Sequence, residues 1–283
     1  LDRWKITNGG SFDTDSAHIH QSTTAPTQHG HTKSLYVEIG NTETPSSGQS
    51  SNIGTRIEGQ DLQHLCYGTS SAKSMTLSFW VRSNKLGTYS VQLIHGSHYV
   101  LYEYTIDSSN TWEKKTINIV GDTSNAIANN SSTGLYIAWF LCANSDVTVS
   151  ATSSWTSGGS YRASSNQVNL WDNGSNNWYL TGCQLELGDV ATAYEHRSIS
   201  EELAECQRYY IQYDRGLNNT TDDGNTPILC NVVAGDGNDS FGPMFLPVPM
   251  RAAPTLSYSS ANDFQTSRVF SSTQVVGGTL YIA

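Results

Sequence analysis

The chain has 283 residues, 25 of them acidic and 15 basic, and its formal net charge of −10 leaves no electrostatic footprint for phosphate backbones or anionic lipid. Only 14% of residues are charged, whereas Ser, Thr and Asn fill 88 positions, a hydroxyl- and amide-rich composition that suits short strands and turns better than long helices. The longest apolar run, Leu135 to Ala143 (LYIAWFLCA), is about half a helical membrane span and is rich in β-formers, so it is read as a buried strand and membrane insertion is not expected.

The first fifty residues are polar and turn-rich, with one clear strand at Lys33 to Ile39, where Leu35, Val37 and Ile39 alternate with Tyr36 and Glu38. Arg56 to Leu65 follows, anchored by Ile57, Leu62 and Leu65. Ser74 to Arg82 places Met75, Leu77, Phe79 and Val81 inward against Thr76, Ser78 and Trp80 outward, the period of a half-buried strand. Further strands are predicted at 87–94, 99–106, 112–120 and, centrally, 135–143. A short pairing is expected at 168–171, and the series closes at 178–187, with Tyr179, Cys183 and Leu185 assigned to one face and an irregularity at Gly182. Strands recurring without helical segments predict an all-β, antiparallel sandwich or jelly roll.

One short helix is expected at 200–213, capped by Ser200, with Leu203, Cys206, Tyr210 and Tyr213 near helical spacing. Beyond it, strands are predicted at 227–233, 244–248, 255–259 and 278–282, interrupted by prolines. The domain reading is therefore a jelly roll over 1–199, a linking helix over 200–213 and a small β domain over 214–283. The absence of an initiator Met suggests a start inside a longer polypeptide, and the second domain is expected to be cut short at Ala283. Cys66, Cys142, Cys183, Cys206 and Cys230 are odd in number and lack a C-x-x-C pair, so reduced thiols and assembly in a reducing cytoplasm are expected.

No P-loop, G-x-G-x-x-G, H-E-x-x-H or G-x-S-x-G is present, so no catalytic residue and no cofactor is assigned. Glu58/Asp61, Glu103/Asp107 and Glu186/Glu195 are the only carboxylate pairs weighed for glycoside chemistry, and solvated turn acids are the default for all of them. His18-x-His20 and His29-x-His31 would each present two imidazoles to one side of an extended segment. Without acids or thiols at ligand spacing they are read as loop histidines, and no metal is assigned. Trp4, Phe79, Trp112 and Phe140 are expected as core or sheet-packing residues. Trp155, Tyr161 and Trp171 differ, lying with Arg162 in a Ser/Gly/Asn-rich stretch over 150–177. Exposed rings can stack on the C–H faces of sugars while Arg and amides bond the hydroxyls, so these four form the candidate carbohydrate site. The competing reading places the rings at the sandwich end or in an oligomer interface.

The combination of Arg56 to Gln63 (RIEGQDLQ), Ser74 to Asn84 (SMTLSFWVRSN), Trp112 to Thr116 (WEKKT), Gln184 to Ser198 (QLELGDVATAYEHRS) and Glu201 to Tyr210 (EELAECQRYY) resembles a family of bacteriophage tail-fibre or other virion-appendage proteins, abundant in marine phages. The resemblance covers about residues 1–213, and more loosely the region around 247–255. It implies a jelly-roll domain like a carbohydrate-binding module and a non-enzymatic role in virion structure, with host-surface polysaccharide as partner. It also implies a homo-oligomer, expected to be a trimer, contacts with other virion proteins, and assembly in the host bacterial cytoplasm. A head-decoration or tail-assembly protein with purely structural surfaces, and a glycan depolymerase, are the alternatives.

Overall fold

The computed structural model describes residues 4–12, 17–158, 162–211, 233–234, 240–241, 246–253, 255, 265–268 and 271–274. The chain divides into two compact units, Arg3–His196 and Arg197–Ala283. In the first, the principal strands are β1 (Trp4–Gly9), β2 (Ala17–Ser22), β3 (Ser34–Ile39), β4 (Ser50–Glu58), β5 (Met75–Ser83), β6 (Gly87–His95), β7 (His98–Ile106), β8 (Glu113–Ile119) and β9 (Thr133–Ala143). Three two-residue strands follow, β10 (Thr148–Val149), β11 (Thr156–Ser157) and β12 (Ala163–Ser164), and then β13 (Asn177–Leu187). One sheet has the order β1-β4-β9-β6-β7-β11 and the other β2-β3-β13-β5-β8. Pairing within both is antiparallel, and the chain crosses from sheet to sheet repeatedly. This is the antiparallel β-sandwich of jelly-roll type that the strand spacing predicts.

The core is built where the two inner faces meet. On β5, Met75, Leu77, Phe79 and Val81 are all at most 2% exposed. Phe79 crosses the interlayer space and meets rings of the opposite sheet edge-on, with centroids 5.2 Å from Tyr104 and 5.6 Å from Trp139. Trp4 packs on the same indole at 5.4 Å. Edge-to-face contacts of this kind add to the burial of large apolar area.

Two strands depart from simple alternation. From Leu135 to Cys142, β9 is buried on both faces. Leu135, Ile137, Trp139 and Leu141 join the main core, while Tyr136, Ala138 and Phe140 form a second cluster with Ala163. In β13 the register against β5 shifts between Thr181 and Gln184, where Gly182 adopts φ 58°. One extra residue reverses the parity of a strand with a side-chain period of two. Trp178 and Leu180 therefore point inward before the bulge, and Cys183 and Leu185 pack against the core after it. The expected irregularity at Gly182 is present, but Tyr179 consequently faces outward rather than sharing a face with Cys183 and Leu185.

Other expectations change in detail. The stretch over 168–171 does not pair; Leu170–Asp172 is a 3-10 turn started by the Asn169 side chain, which accepts a hydrogen bond from the Trp171 amide. Arg56 to Leu65 splits into the end of β4 and a 3-10 segment, Gly59–Leu65, that buries Leu62 and Leu65. β1, β2 and the first part of β4 lie in sequence too polar to read as strands. Trp112 sits half-buried on an outer face rather than in the core. Cys66, Cys142, Cys183 and Cys206 form no disulfide, and Cys230 lies outside the described residues.

In the second unit, α1 (Ile199–Gln207) begins at Ser198, not Ser200: Ser198 accepts from the Glu201 amide while Glu201 accepts from the Ser198 amide, a capping box. The helix is shorter than the expected 200–213, and Ile199 is 88% and Leu203 54% exposed. Two antiparallel hairpins are described, β14 (Val233–Ala234) with β15 (Ser240–Phe241) and β16 (Gln265–Arg268) with β17 (Ser271–Gln274). The remaining strands predicted after residue 213 fall largely outside the described residues. Among those described, no helix is long and apolar enough to cross a membrane.

Because Phe79 is fully buried between the sheets against two rings of the opposite one, Phe79→Ala is expected to lower the unfolding free energy by about 3–5 kcal/mol, measured as a reduced midpoint in urea at unchanged m-value.

Candidate functional site: the outer face of the five-stranded sheet

Of the four candidate loop residues, the three described, Trp155, Arg162 and Trp171, are held by different partners. Trp171 is 1% exposed and packs edge-on against Phe12 at 5.1 Å, so it is a core residue with no face open to a sugar. Trp155 is half-buried; its indole N–H donates to the Val120 carbonyl at 2.6 Å and its ring lies 4.5 Å from His95 and 5.7 Å from Tyr67. Arg162 donates through its guanidinium to the Asp146 carbonyl at 3.0 Å and through its amide to Gln92 at 3.0 Å. Tyr161 lies outside the described residues.

The stretch containing them covers the outside of the six-stranded sheet. Gln167 accepts from the Ser90 amide and hydroxyl at 2.8 and 2.7 Å and donates to the Phe140 carbonyl at 3.2 Å. The Ser164 amide donates to the Ser90 hydroxyl at 3.1 Å, and the Ser164 hydroxyl donates to Glu103. Thr152 exchanges hydrogen bonds with the Leu101 backbone at 2.8 and 2.9 Å. Gln167, Ser164 and Thr152 are thus engaged with the protein itself.

The outer face of the other sheet carries a different set. Since Leu35, Val37 and Val81 point inward, Tyr36 and Arg82 point out. Strand register then aligns His20, Tyr36, Tyr179 and Arg82 in one transverse row, and Trp112, just before β8, closes it. The row is in contact along its length. His20 meets Tyr36 edge-on at 4.7 Å, Tyr36 stacks on Tyr179 at 4.4 Å with 15° between planes, the Arg82 guanidinium lies 4.9 Å over Tyr179, and Trp112 meets Tyr179 at 6.0 Å. Burial, then the neighbouring Tyr179, pushes the Tyr36 phenol up to about 12, so it stays a neutral donor and acceptor at physiological pH. Tyr36, Arg82 and Trp112 are half-buried, and exposed Glu38, His18 and Lys114 surround them.

A second aromatic group lies next along β5 and β13. Trp80 pairs with Thr181 and carries His29 stacked on it at 4.2 Å. His31 is 6% exposed and packs against Tyr194 at 4.9 Å and His196 at 5.7 Å. Gly182 is required beneath it, because a β-carbon there would stand 2.6 Å from the His31 ring in addition to the strain at positive φ. The chain over 192–195 closes this end: Gln184 donates to the Ala193 carbonyl at 3.2 Å and accepts from the Glu195 amide at 2.7 Å, and Glu186 accepts from Thr192.

The two H-x-H pairs therefore have different fates. His18 and His20 are exposed neighbours on β2, whereas His29 lies over Trp80 and His31 is buried. Among the weighed carboxylates, Glu58 accepts from Gln60 at 2.7 Å, Glu103 from Ser164 and Asn166, and Asp107 lies 3.5 Å from Lys115. Of the transverse row, Tyr36 is marked as outward by its alternation with Leu35 and Val37, whereas Tyr179 is separated from the face of Cys183 and Leu185 only by the bulge at Gly182.

A scan against protein-family models finds no match, and neither does a search of curated protein sequences. Among solved structures, similarity is found to the enzymatically active domain of tailspike protein 4 from bacteriophage CBA120, with 12% identity and a TM-score of 0.36 over 65% of this chain. That match spans only 19% of the tailspike chain. A family 11 carbohydrate-binding module from Clostridium thermocellum, in complex with a β-1,3-1,4-mixed-linked tetrasaccharide, has 10% identity and a TM-score of 0.34 over 68% of this chain and 92% of its own. A family 61 module in complex with β-1,4-galactotriose has 9% identity and a TM-score of 0.33 over 66% of this chain and 88% of its own. The fold assignment stands on strand order and register.

Burial first, then His196, His29 and Lys114 nearby, hold the His31 pKa below its ordinary value. The unfolded chain then binds more protons between that lowered value and about 6.5, so stability present above this window is lost as pH falls through it. Thermal melts from pH 7.5 to 5.5 are expected to show a falling Tm, with a shallower slope in His31→Gln.

Proposed function

We propose that the protein is a non-enzymatic glycan-binding component of a phage virion, most consistent with a tail fibre or similar appendage, and that it contacts host-surface polysaccharide through the outer face of its five-stranded sheet. The observation that carries the reading is the continuous row His20–Tyr36–Tyr179–Arg82–Trp112. Aromatic rings backed by strands offer flat apolar patches to the C–H faces of pyranose rings, while a guanidinium and imidazole at the same level bond hydroxyls. A row spanning a whole sheet suits an extended chain of sugars better than a single terminal residue. The rigid strand framework also limits the ordering cost of binding, unlike a mobile loop.

The appendage role is supported by the sequence resemblance to phage tail-fibre proteins. Self-association, as a trimer in the simplest fibre arrangement, is supported by the exposed apolar residues Ile199, Leu203 and Tyr210. Oligomerisation would raise a weak single-site affinity by avidity without new contacts.

The test is a polysaccharide array and affinity electrophoresis with the purified protein. Binding to host-surface polysaccharide without release of reducing ends is expected, and Tyr36→Ala or Trp112→Ala should weaken it about 30-fold, the loss of one aromatic anchor worth roughly 2 kcal/mol. Arg162→Ala should bind like wild type. Loss of binding in Arg162→Ala with Tyr36→Ala unaffected would return the site to the loops. No binding at multivalent presentation would favour a purely structural assembly role.

A further inference from the structure

At the other end of the β6–β7 hairpin from the N-terminus of β6, two histidines and an aspartate converge. His95 and His98 are the last paired residues of this hairpin, flanking the two-residue turn Gly96-Ser97, and Gly96 supplies the positive φ of 53° that so tight a turn needs. Residues paired across a hairpin present their side chains on the same face, so both imidazoles project together. Asp122 arrives from the other sheet, on the loop after β8. One of its oxygens is fixed by the Ser124 amide and hydroxyl at 2.9 and 2.8 Å. The other, Oδ2, faces His95 Nε2 at 2.9 Å and His98 Nδ1 at 2.6 Å.

The surroundings are unusual for three polar groups. The His95 and Asp122 side chains are 0% and 1% exposed, and the His98 side chain is 16% exposed. Trp155 covers the group with its ring on His95 and is itself pinned by the Val120 carbonyl. His95 Nδ1 is buried with no hydrogen-bond partner. The ligand-capable atoms that converge are the other His95 nitrogen, Nε2, with His98 Nδ1 and Asp122 Oδ2.

We infer that His95, His98 and Asp122 form a binding site for a divalent cation of the zinc class, which joins the β6–β7 hairpin of one sheet to the end of β8 in the other. The three ligand atoms already lie within 4.8 Å of one another. Two imidazoles and one carboxylate match zinc, cobalt or nickel, whereas calcium and magnesium require oxygen ligands. Adjacent ligands on a tetrahedral zinc stand about 3.3 Å apart, given bonds of about 2.0–2.1 Å. Loading therefore asks Asp122 Oδ2 to draw back by about 0.4 Å from His95 Nε2 and about 0.7 Å from His98 Nδ1, with each imidazole ligating through the nitrogen that now faces Asp122 and carrying its proton on the other. The fourth position falls to water on the partly open side of His98. This site is separate from the aromatic row, and neither depends on the other.

The experiment uses the full chain, stripped with chelator and dialysed, titrated with Zn2+ by calorimetry and followed by thermal melting. One ion per chain is expected. Tm should rise by about 5 °C or more at a hundredfold excess over Kd, with no response to Ca2+ or Mg2+. Co2+ should give the visible absorption of a tetrahedral site in the wild-type protein, a readout that needs no variant. His98→Ala and Asp122→Asn should each weaken Zn2+ binding at least tenfold. The inference is overturned if the wild type takes up no Zn2+, Co2+ or Ni2+ saturably, or if both variants bind like wild type, which would place the ion elsewhere, as at His18 and His20.

Discussion

The double burial of β9 is the constraint on which the rest of the sandwich depends. An eleven-residue central strand that is apolar on both faces cannot be satisfied by the opposing sheet alone. Its inner residues take the interlayer core, and its outer residues Tyr136, Ala138 and Phe140 need a second cover. The chain supplies that cover from its own hydroxyl- and amide-rich stretch, with Ala163 filling the apolar contact and Gln167, Ser164 and Thr152 bonding backbone and side chains of β6, β7 and β9. The extensive hydrogen bonding follows from burial, since polar groups taken from water need partners.

That arrangement divides the two outer faces by task. One is committed to holding the long loop. The five-stranded sheet keeps its row of rings from β2 to the start of β8, and a single residue of excess at the β13 bulge sets which rings belong to it. Without the extra residue, Trp178 and Leu180 could not share the core with Cys183 and Leu185, and Tyr179 would not face out beneath Arg82. Gly182 makes the bulge possible and leaves room for the buried His31 ring, so the local backbone and the aromatic group beyond Trp80 are coupled through one position.

Much of the sandwich was legible because its strands obey the simplest rule available. β3, β5, β6, β7, β8, β9 and β13 all lie where apolar residues alternate or run continuously, and each was placed to within a residue or two. β1 and β2 were not, since their sequences are polar and they become strands only by pairing with β4 and β3. The helix start was misplaced by two residues because Ser198 and Ser200 are both competent caps, and only Ser198 has Glu201 at the reciprocal position. The candidate site was harder. Trp155 and Trp171 stand in equally polar sequence, but Trp171 is core and Trp155 wedges against His95, a difference set by where the loop returns to the sheets.

By itself, then, the sequence determined the all-β class, the inward set of most strands, and the absence of the specific nucleotide and hydrolase motifs, because these rest on composition, period and local spacing. Only the tertiary structure decided which outer face is covered, which aromatics form a row, and which two histidines meet Asp122 across the sandwich. Those are contacts between residues far apart in the chain, and a strand's own alternation says which side a residue faces but not what will be waiting there.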